Sequence, residues 1–277
     1  MNTPIQDLKT KGFVVLDYPK NLRDAVEQAI GSWQKFCEIP LETKQALPYS
    51  DNFEGIGYEY KDGIGNGADY KENFDVTIAG QEWLKTHTKE IQNPHAINFV
   101  EDASKLVELI KPIVLDFATQ AEQTFKLPGL IKEVENSEHT FFVRFIHYFG
   151  NRELEDQTAT PHIDHGGFTL HLFESDPGLQ RLTQDKKWID MPVSDGETVI
   201  IPGLQMQLLS ENELKALCHR VIATEKTMHD GRYSAVCFIS LNNTLKYDKA
   251  KHGRLQERVP GFNYDLSLPE LEEFFKK

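Results

Sequence analysis

Cysteine is scarce in this sequence: Cys37, Cys218 and Cys237 are the only three in 277 residues. An odd, sparse set without paired spacing excludes a disulfide framework and predicts a reducing compartment, the cytoplasm. Positive charge is also in deficit, with 30 Lys and Arg against 43 Asp and Glu and a formal net charge of −13. A general nucleic-acid binder needs a basic face, so nucleic acid is not expected as a partner. Long apolar runs are missing too. None approaches the ~20 residues of a membrane span, and residues 1–11 are polar with no apolar signal core, so neither membrane attachment nor secretion is expected.

What remains is an ordinary soluble composition, 39% hydrophobic and 26% charged, at a length that fits one large β domain with additions or two small domains. Residues 12–16, Gly-Phe-Val-Val-Leu, read as a short buried strand. Asn21 is a candidate N-cap for an amphipathic helix whose apolar positions are Leu22, Val26, Ala29, Ile30, Trp33 and Phe36. Residues 51–79 are rich in glycine and tyrosine and read either as a binding loop or as a surface loop with aromatic anchors. Residues 102–125 carry a helical apolar stripe, and Pro112 inside it predicts a kink or a split. This helix is expected to pack on the outside of a β core. From Thr140 onward the period changes. Short β-branched and aromatic runs at 141–149, 168–173, 198–201, 206–209, 219–223 and 233–241 predict strands of a sandwich or barrel. Residues 266–275 read as a short closing helix.

The chemistry concentrates in residues 160–241. His162 and Asp164 are spaced i, i+2, which on a strand sends both side chains to one face while Ile163 points away. His219 lies 55 residues beyond Asp164 and would arrive from a distant strand. Two imidazoles and one carboxylate on one face of an octahedral metal leave three positions open, the ligand set of non-haem iron(II) oxygenases. Arg232 and Ser234 repeat the i, i+2 spacing on a last strand. A planar guanidinium can grip a carboxylate with two hydrogen bonds, and the serine hydroxyl adds a donor.

These residues stand in a longer pattern. His162, Asp164, Gly166, Thr169 and Leu170 form a His-x-Asp-x-Gly-x-x-Thr-Leu run. Gly178-Leu179-Gln180 and Trp188 follow, then His219-Arg220-Val221 and Arg232-Tyr233-Ser234. In this the chain resembles the iron(II)/2-oxoglutarate-dependent dioxygenases, in the isopenicillin-N-synthase-like branch. A second block, Phe36-Cys37-Glu38-Ile39-Pro40-Leu41-Glu42-Thr43-Lys44, resembles that branch's Phe-Phe-x-Leu-Pro-x-Glu-x-Lys signature. Two patterns depart from the family. Ile201-Pro202-Gly203-Leu204 stands where Asn-x-Gly-Asp is usual, and Tyr148-Phe149-Gly150 where Tyr-Pro-Pro is usual.

The resemblance implies a mainly β fold with flanking helices. Its core is a double-stranded β-helix, or jelly-roll, and the α-helical N-terminal region packs outside it. Residues 1–135 would form the N-terminal region and 136–277 the oxygenase core, the two as one compact unit. It implies iron(II) on His162, Asp164 and His219, and 2-oxoglutarate on Arg232, Ser234 and Tyr148. Dioxygen and a small molecule would be the other reactants, with hydroxylation the commonest outcome, and ascorbate an accessory reductant. Two alternatives stay open: a same-fold iron(II) oxidase taking electrons from substrate or ascorbate, and a non-enzymatic metal-binding member. Oligomeric state is not fixed by the sequence. Of the other histidines, His165 and His171 are expected to share a face turned from the ligands, and His147 to face opposite Tyr148.

Overall fold

The computed structural model describes residues 5–50, 55–63, 69–138, 140–183, 185–192, 196–211 and 213–241. The helix expected at 266–275 lies outside these. Eleven strands are formed by the described residues. In chain order they are β1 (Val14–Asp17), β2 (Gly57–Asp62), β3 (Tyr70–Thr77), β4 (Phe141–Tyr148), β5 (Gln157–His162), β6 (Phe168–Glu174), β7 (Leu179–Leu182), β8 (Trp188–Asp190), β9 (Glu197–Pro202), β10 (His219–Ile222) and β11 (Arg232–Ile239). They make two antiparallel sheets. The larger runs β1-β9-β6-β11-β4-β3-β2 and the smaller β5-β10-β7-β8. Three of the larger sheet's seven strands come from the first 77 residues.

The period-2 alternation of the central strands decides which chemistry faces where. On β4, Phe141, Val143 and Phe145 join the core beneath the helices, whereas Ile146 and Tyr148 join the core between the sheets. On β11, Ala235, Cys237 and Ile239 point to the helices and Val236 to the second sheet. Arg232 and Ser234 have the parity of Val236. The helices covering the outer face are α2 (Lys20–Cys37) and α5 (Pro94–Phe125). Trp33 and Phe36 from α2, Phe99 from α5, Phe74 from β3 and Phe145 from β4 form one buried aromatic cluster, with ring centroids 5.0 to 6.2 Å apart. Burying each such ring is worth about 1.5–3 kcal/mol, which fixes the helical layer on the sheet.

Five expectations are corrected here. Helix α2 starts at Lys20 behind Pro19 rather than at an Asn21 cap. Helix α5 runs unbroken through Pro112. That residue lies on the exposed face, where water can satisfy the carbonyl its ring leaves free. Its start is earlier than expected, because Asn93 Oδ1 accepts from the backbone N–H groups of His95 and Ala96 at 3.0 and 3.2 Å. Residues 206–209 belong to a helix, Leu204–Leu209, instead of a strand. A short apolar run does not distinguish the two. Here Gln205 decides it by bonding both backbone groups of Leu241, at 2.9 and 2.7 Å. Finally, the described residues within 51–79 are largely strand, through β2 and β3.

The buried charged residues of β3 are internally paired. Glu72 is 2% exposed and accepts from Lys44 Nζ at 2.6 Å, Tyr58 OH at 2.7 Å and His147 Nδ1 at 2.9 Å. Burial alone would raise the Glu72 carboxyl. The His147, Lys44 and Tyr58 donors outweigh it and hold the group down at about 2. Lys44 ends the Phe36–Lys44 signature, so this one ion pair ties that signature to β3, one strand in from the edge of the sheet. Lys44→Met is expected to destabilise the protein by about 3–5 kcal/mol in urea unfolding, because it leaves a buried carboxylate without its cation.

Candidate metal centre and adjoining carboxylate subsite

His162 ends β5 and His219 opens β10, and the two residues are paired across these strands. Their rings lie 4.3 Å apart. Asp164 stands just past the end of β5, so its position is not set by strand alternation, as the i, i+2 spacing suggested. Its loop is fixed instead by the segment at Gly203: Leu204 N–H donates to the Asp164 carbonyl at 2.8 Å and Gly203 N–H to the Gly167 carbonyl at 2.8 Å. A Cβ on Gly203 would come within 2.3 Å of the Gly166 carbonyl oxygen. Ile201-Pro202-Gly203-Leu204 thus keeps the one residue type this contact requires. Gly203→Ala is expected to push the Asp164 loop outward and weaken divalent-metal affinity by about 10–100-fold, the range for outer-shell supports, as read by competition with a chelating dye.

Each imidazole is held with one nitrogen committed and the other free for a metal. His162 Nδ1 bonds the Thr160 carbonyl at 2.7 Å, and His219 Nδ1 the Leu217 carbonyl at 3.1 Å. Their Nε2 atoms lie 3.8 and 4.0 Å from Asp164 Oδ1. The other carboxylate oxygen, Oδ2, accepts from the Thr169 hydroxyl at 2.6 Å. One donor atom from each of the three residues lies within 4.8 Å of the others. Burial would raise the Asp164 carboxyl, but the imidazoles of His219 and His162 and the Thr169 hydroxyl bring it below its usual value. Burial, with His162 beside it, lowers His219 to about 3, so its imidazole is neutral near pH 7. Two imidazole nitrogens and one carboxylate oxygen, each oriented by a partner behind it, fit a divalent transition metal.

A second triplet, Cys37, Glu72 and His147, also brings its donor atoms together. There the cation is already present, as Lys44 Nζ, and Glu72 has its partners. This cluster is part of the scaffold.

The remaining motif residues brace β10. Arg220 Nε donates to Gln180 Oε1 at 2.9 Å, and its guanidinium lies 4.4 Å from the Trp188 ring centroid. Gln180 Nε2 in turn donates to Asp190 Oδ1 at 3.1 Å. Gly-Leu-Gln, the tryptophan and His-Arg-Val, separate in sequence, are one packed unit behind His219.

Arg232 and Ser234 are 1% and 2% exposed. Arg232 is paired with Tyr148 across β11 and β4. Burial raises the Tyr148 phenol and the nearby Arg232 charge opposes this. Tyr233 faces the other way and stacks on His147, with ring centroids 4.3 Å apart. Two neighbours were not anticipated. Glu174 forms an ion pair with Arg232 through Oε2 and Nη2, and its Oε1 meets His171 Nδ1 at 2.9 Å. The His171 ring stands perpendicular to that of His219 at 5.7 Å, so His171 is turned toward the ligands and not away from them. A bulge accounts for Glu174 sharing this side. On β11, Ala235 pairs with Phe173 and Val236 with His171, which leaves Leu172 without an opposite residue. Leu172 and Phe173 both pack toward the helices, and Glu174 regains the side of Thr169 and His171.

The fold has counterparts among known proteins. Residues 137–241 match the family model described as the 2OG-Fe(II) oxygenase superfamily. A 2-oxoglutarate-dependent dioxygenase of Didymella fabae is 26% identical over 253 residues, covering 81% of this chain and 74% of that one. Among solved structures, a full-length Neurospora crassa protein in complex with alpha-KG superposes with a TM-score of 0.69 at 18% identity, over 86% of this chain and 78% of the other. JOX2 in complex with 2OG, Fe and JA superposes with a TM-score of 0.70 at 18% identity, over 99% and 80%.

Proposed function

The chain belongs to the 2OG-Fe(II) oxygenase superfamily, and on that premise we propose that His162, Asp164 and His219 hold one iron(II) ion and that Arg232, Ser234 and Tyr148 receive 2-oxoglutarate. The enzyme is a dioxygenase, and its substrate is a small molecule. When bound, iron(II) and 2-oxoglutarate supply the dioxygen activation that oxidises an unreactive C–H bond. The rest is the work of this chain's own residues. The Thr160 and Leu217 carbonyls hold both imidazoles with Nε2 free. Thr169 holds Asp164 so that Oδ1 faces those nitrogens. The core between the two sheets keeps bulk water from the Arg232 side of the site. Hydroxylation is the outcome this arrangement serves most directly.

The convergence of two Nε2 atoms on Asp164 Oδ1, each imidazole braced through Nδ1, carries this reading. Small-molecule oxidation is supported by the relatives: the full-length Neurospora crassa protein was also solved with thymine, and JOX2 with JA. The reaction class is tested by succinate release. With iron(II), 2-oxoglutarate and a library of small carboxylates, heterocycles and phenols, succinate should form in step with an oxidised product. Oxidised product without succinate would overturn the oxo-acid requirement in favour of a substrate- or ascorbate-driven oxidase. No helix among the described residues is long and apolar enough to cross a membrane. A cytoplasmic location is part of the proposal, supported by the sparse cysteines.

A further inference from the structure

We propose that Glu174 is a specificity-determining residue of the oxo-acid subsite, an internal carboxylate that 2-oxoglutarate must displace from Arg232 in order to bind. The inference rests on the oxo-acid reading above and adds what this chain does with it. The Arg232 guanidinium is buried and already faces a carboxylate. Apart from each other, its Nη2 and Glu174 Oε2 have no hydrogen-bond partner among the described residues. The guanidinium also donates from Nε to the Asp176 carbonyl at 3.1 Å.

The strand itself holds Glu174 there. The Leu172 bulge turns it inward, and the Leu172 carbonyl accepts from Tyr18 OH at 2.7 Å. His171 Nδ1 binds its second oxygen, and His171 Nε2 is buried without a partner among the described residues. The Arg232–Glu174 pair is electrically complete, and the nearby Lys71, 5.7 Å from the Tyr148 ring centroid, is itself paired with Asp69 at 2.9 Å. A dicarboxylate entering the pocket brings a second negative charge against a single guanidinium, and two carboxylates in one low-dielectric site repel. 2-Oxoglutarate therefore binds by exchange, with Glu174 moving off Arg232. The intrinsic affinity of the clamp is reduced by the cost of that exchange. A 2-oxo acid with an uncharged tail bears no such cost.

The test is anaerobic binding to the iron(II)-loaded protein, with dissociation constants read from the visible charge-transfer band. Two probes are used: 2-oxoglutarate, and 2-oxopentanoate, which has a methyl group in place of the distal carboxylate. In Glu174→Gln the 2-oxoglutarate constant should fall by about tenfold or more, while that of 2-oxopentanoate stays within about twofold. Glutamine keeps the shape and the His171 contact, and a single cooperative unfolding transition, at a midpoint lowered by the loss of Arg232's charged partner, shows that the fold is intact. Unchanged or weaker 2-oxoglutarate binding in a folded Glu174→Gln protein overturns the inference. It would mean that Glu174 only holds Arg232 in place. Equal tightening of both probes also overturns it, because the effect would not depend on the distal charge. If neither protein forms a band with either acid, the oxo-acid reading fails and this inference with it.

Discussion

His219→Ala is expected to abolish iron(II)-dependent turnover and to lower iron(II) affinity by more than about 100-fold. Outer-shell supports of a metal ligand already cost about 10–100-fold when removed, and His219 is proposed as a ligand itself. It is also the best prepared of the three. It is 4% exposed, neutral near pH 7, and held by the Leu217 carbonyl. The variant should still fold, since alanine at the start of β10 leaves Val221 and the Arg220–Trp188–Gln180 unit in place. Near-normal stability with lost metal binding separates a ligand from a structural histidine. Equilibrium dialysis against iron(II) under anaerobic conditions gives the affinity, and urea unfolding gives the stability.

The second large effect is at Arg232. Arg232→Ala should leave iron(II) binding close to wild type and raise the 2-oxoglutarate requirement by roughly 30-fold or more. That corresponds to the ~2–5 kcal/mol lost when one partner of a buried charge pair is truncated. The variant also strands Glu174 as a buried carboxylate without a cation, which costs stability on its own account. The double variant Arg232→Met with Glu174→Gln removes both charges and separates the two effects. It should recover stability while the 2-oxoglutarate requirement stays high. A requirement restored in the double variant would remove Arg232 from the clamp. These effects are read as the 2-oxoglutarate KM and as anaerobic dissociation constants.

Much of this site was legible because strand alternation is a strong rule. Arg232 and Ser234 share a face, Tyr233 takes the other, and His147 opposes Tyr148, all as period 2 requires. The motif residues were legible as a set, and the structure supplies the reason they occur together: Gln180, Trp188 and Arg220 are one contact, and Lys44 joins Glu72. Two kinds of residue were not legible. His171 and Glu174 stand three apart, a spacing that puts strand residues on opposite faces. The Leu172 bulge reverses that, and no local residue signals it. β3 was hidden for a different reason. Lys71, Glu72, Asn73 and Asp75 are all buried but polar, so a hydrophobic pattern cannot find them. Partners of Glu72 and Asp75 lie far away in sequence, at Lys44, His147 and Arg144. The helix at Leu204–Leu209 was lost to the ambiguity of a short apolar run.

One iron(II) on His162, Asp164 and His219, with a 2-oxo acid beside it, is tested most directly by an anaerobic titration. The metal-free protein receives iron(II) and then 2-oxoglutarate, and visible absorption is followed. A weak charge-transfer band should appear only after both additions, saturate at one iron per chain, and be absent in His219→Ala. A band of wild-type intensity in His219→Ala, or iron bound at one per chain with no band on adding 2-oxoglutarate, would contradict it.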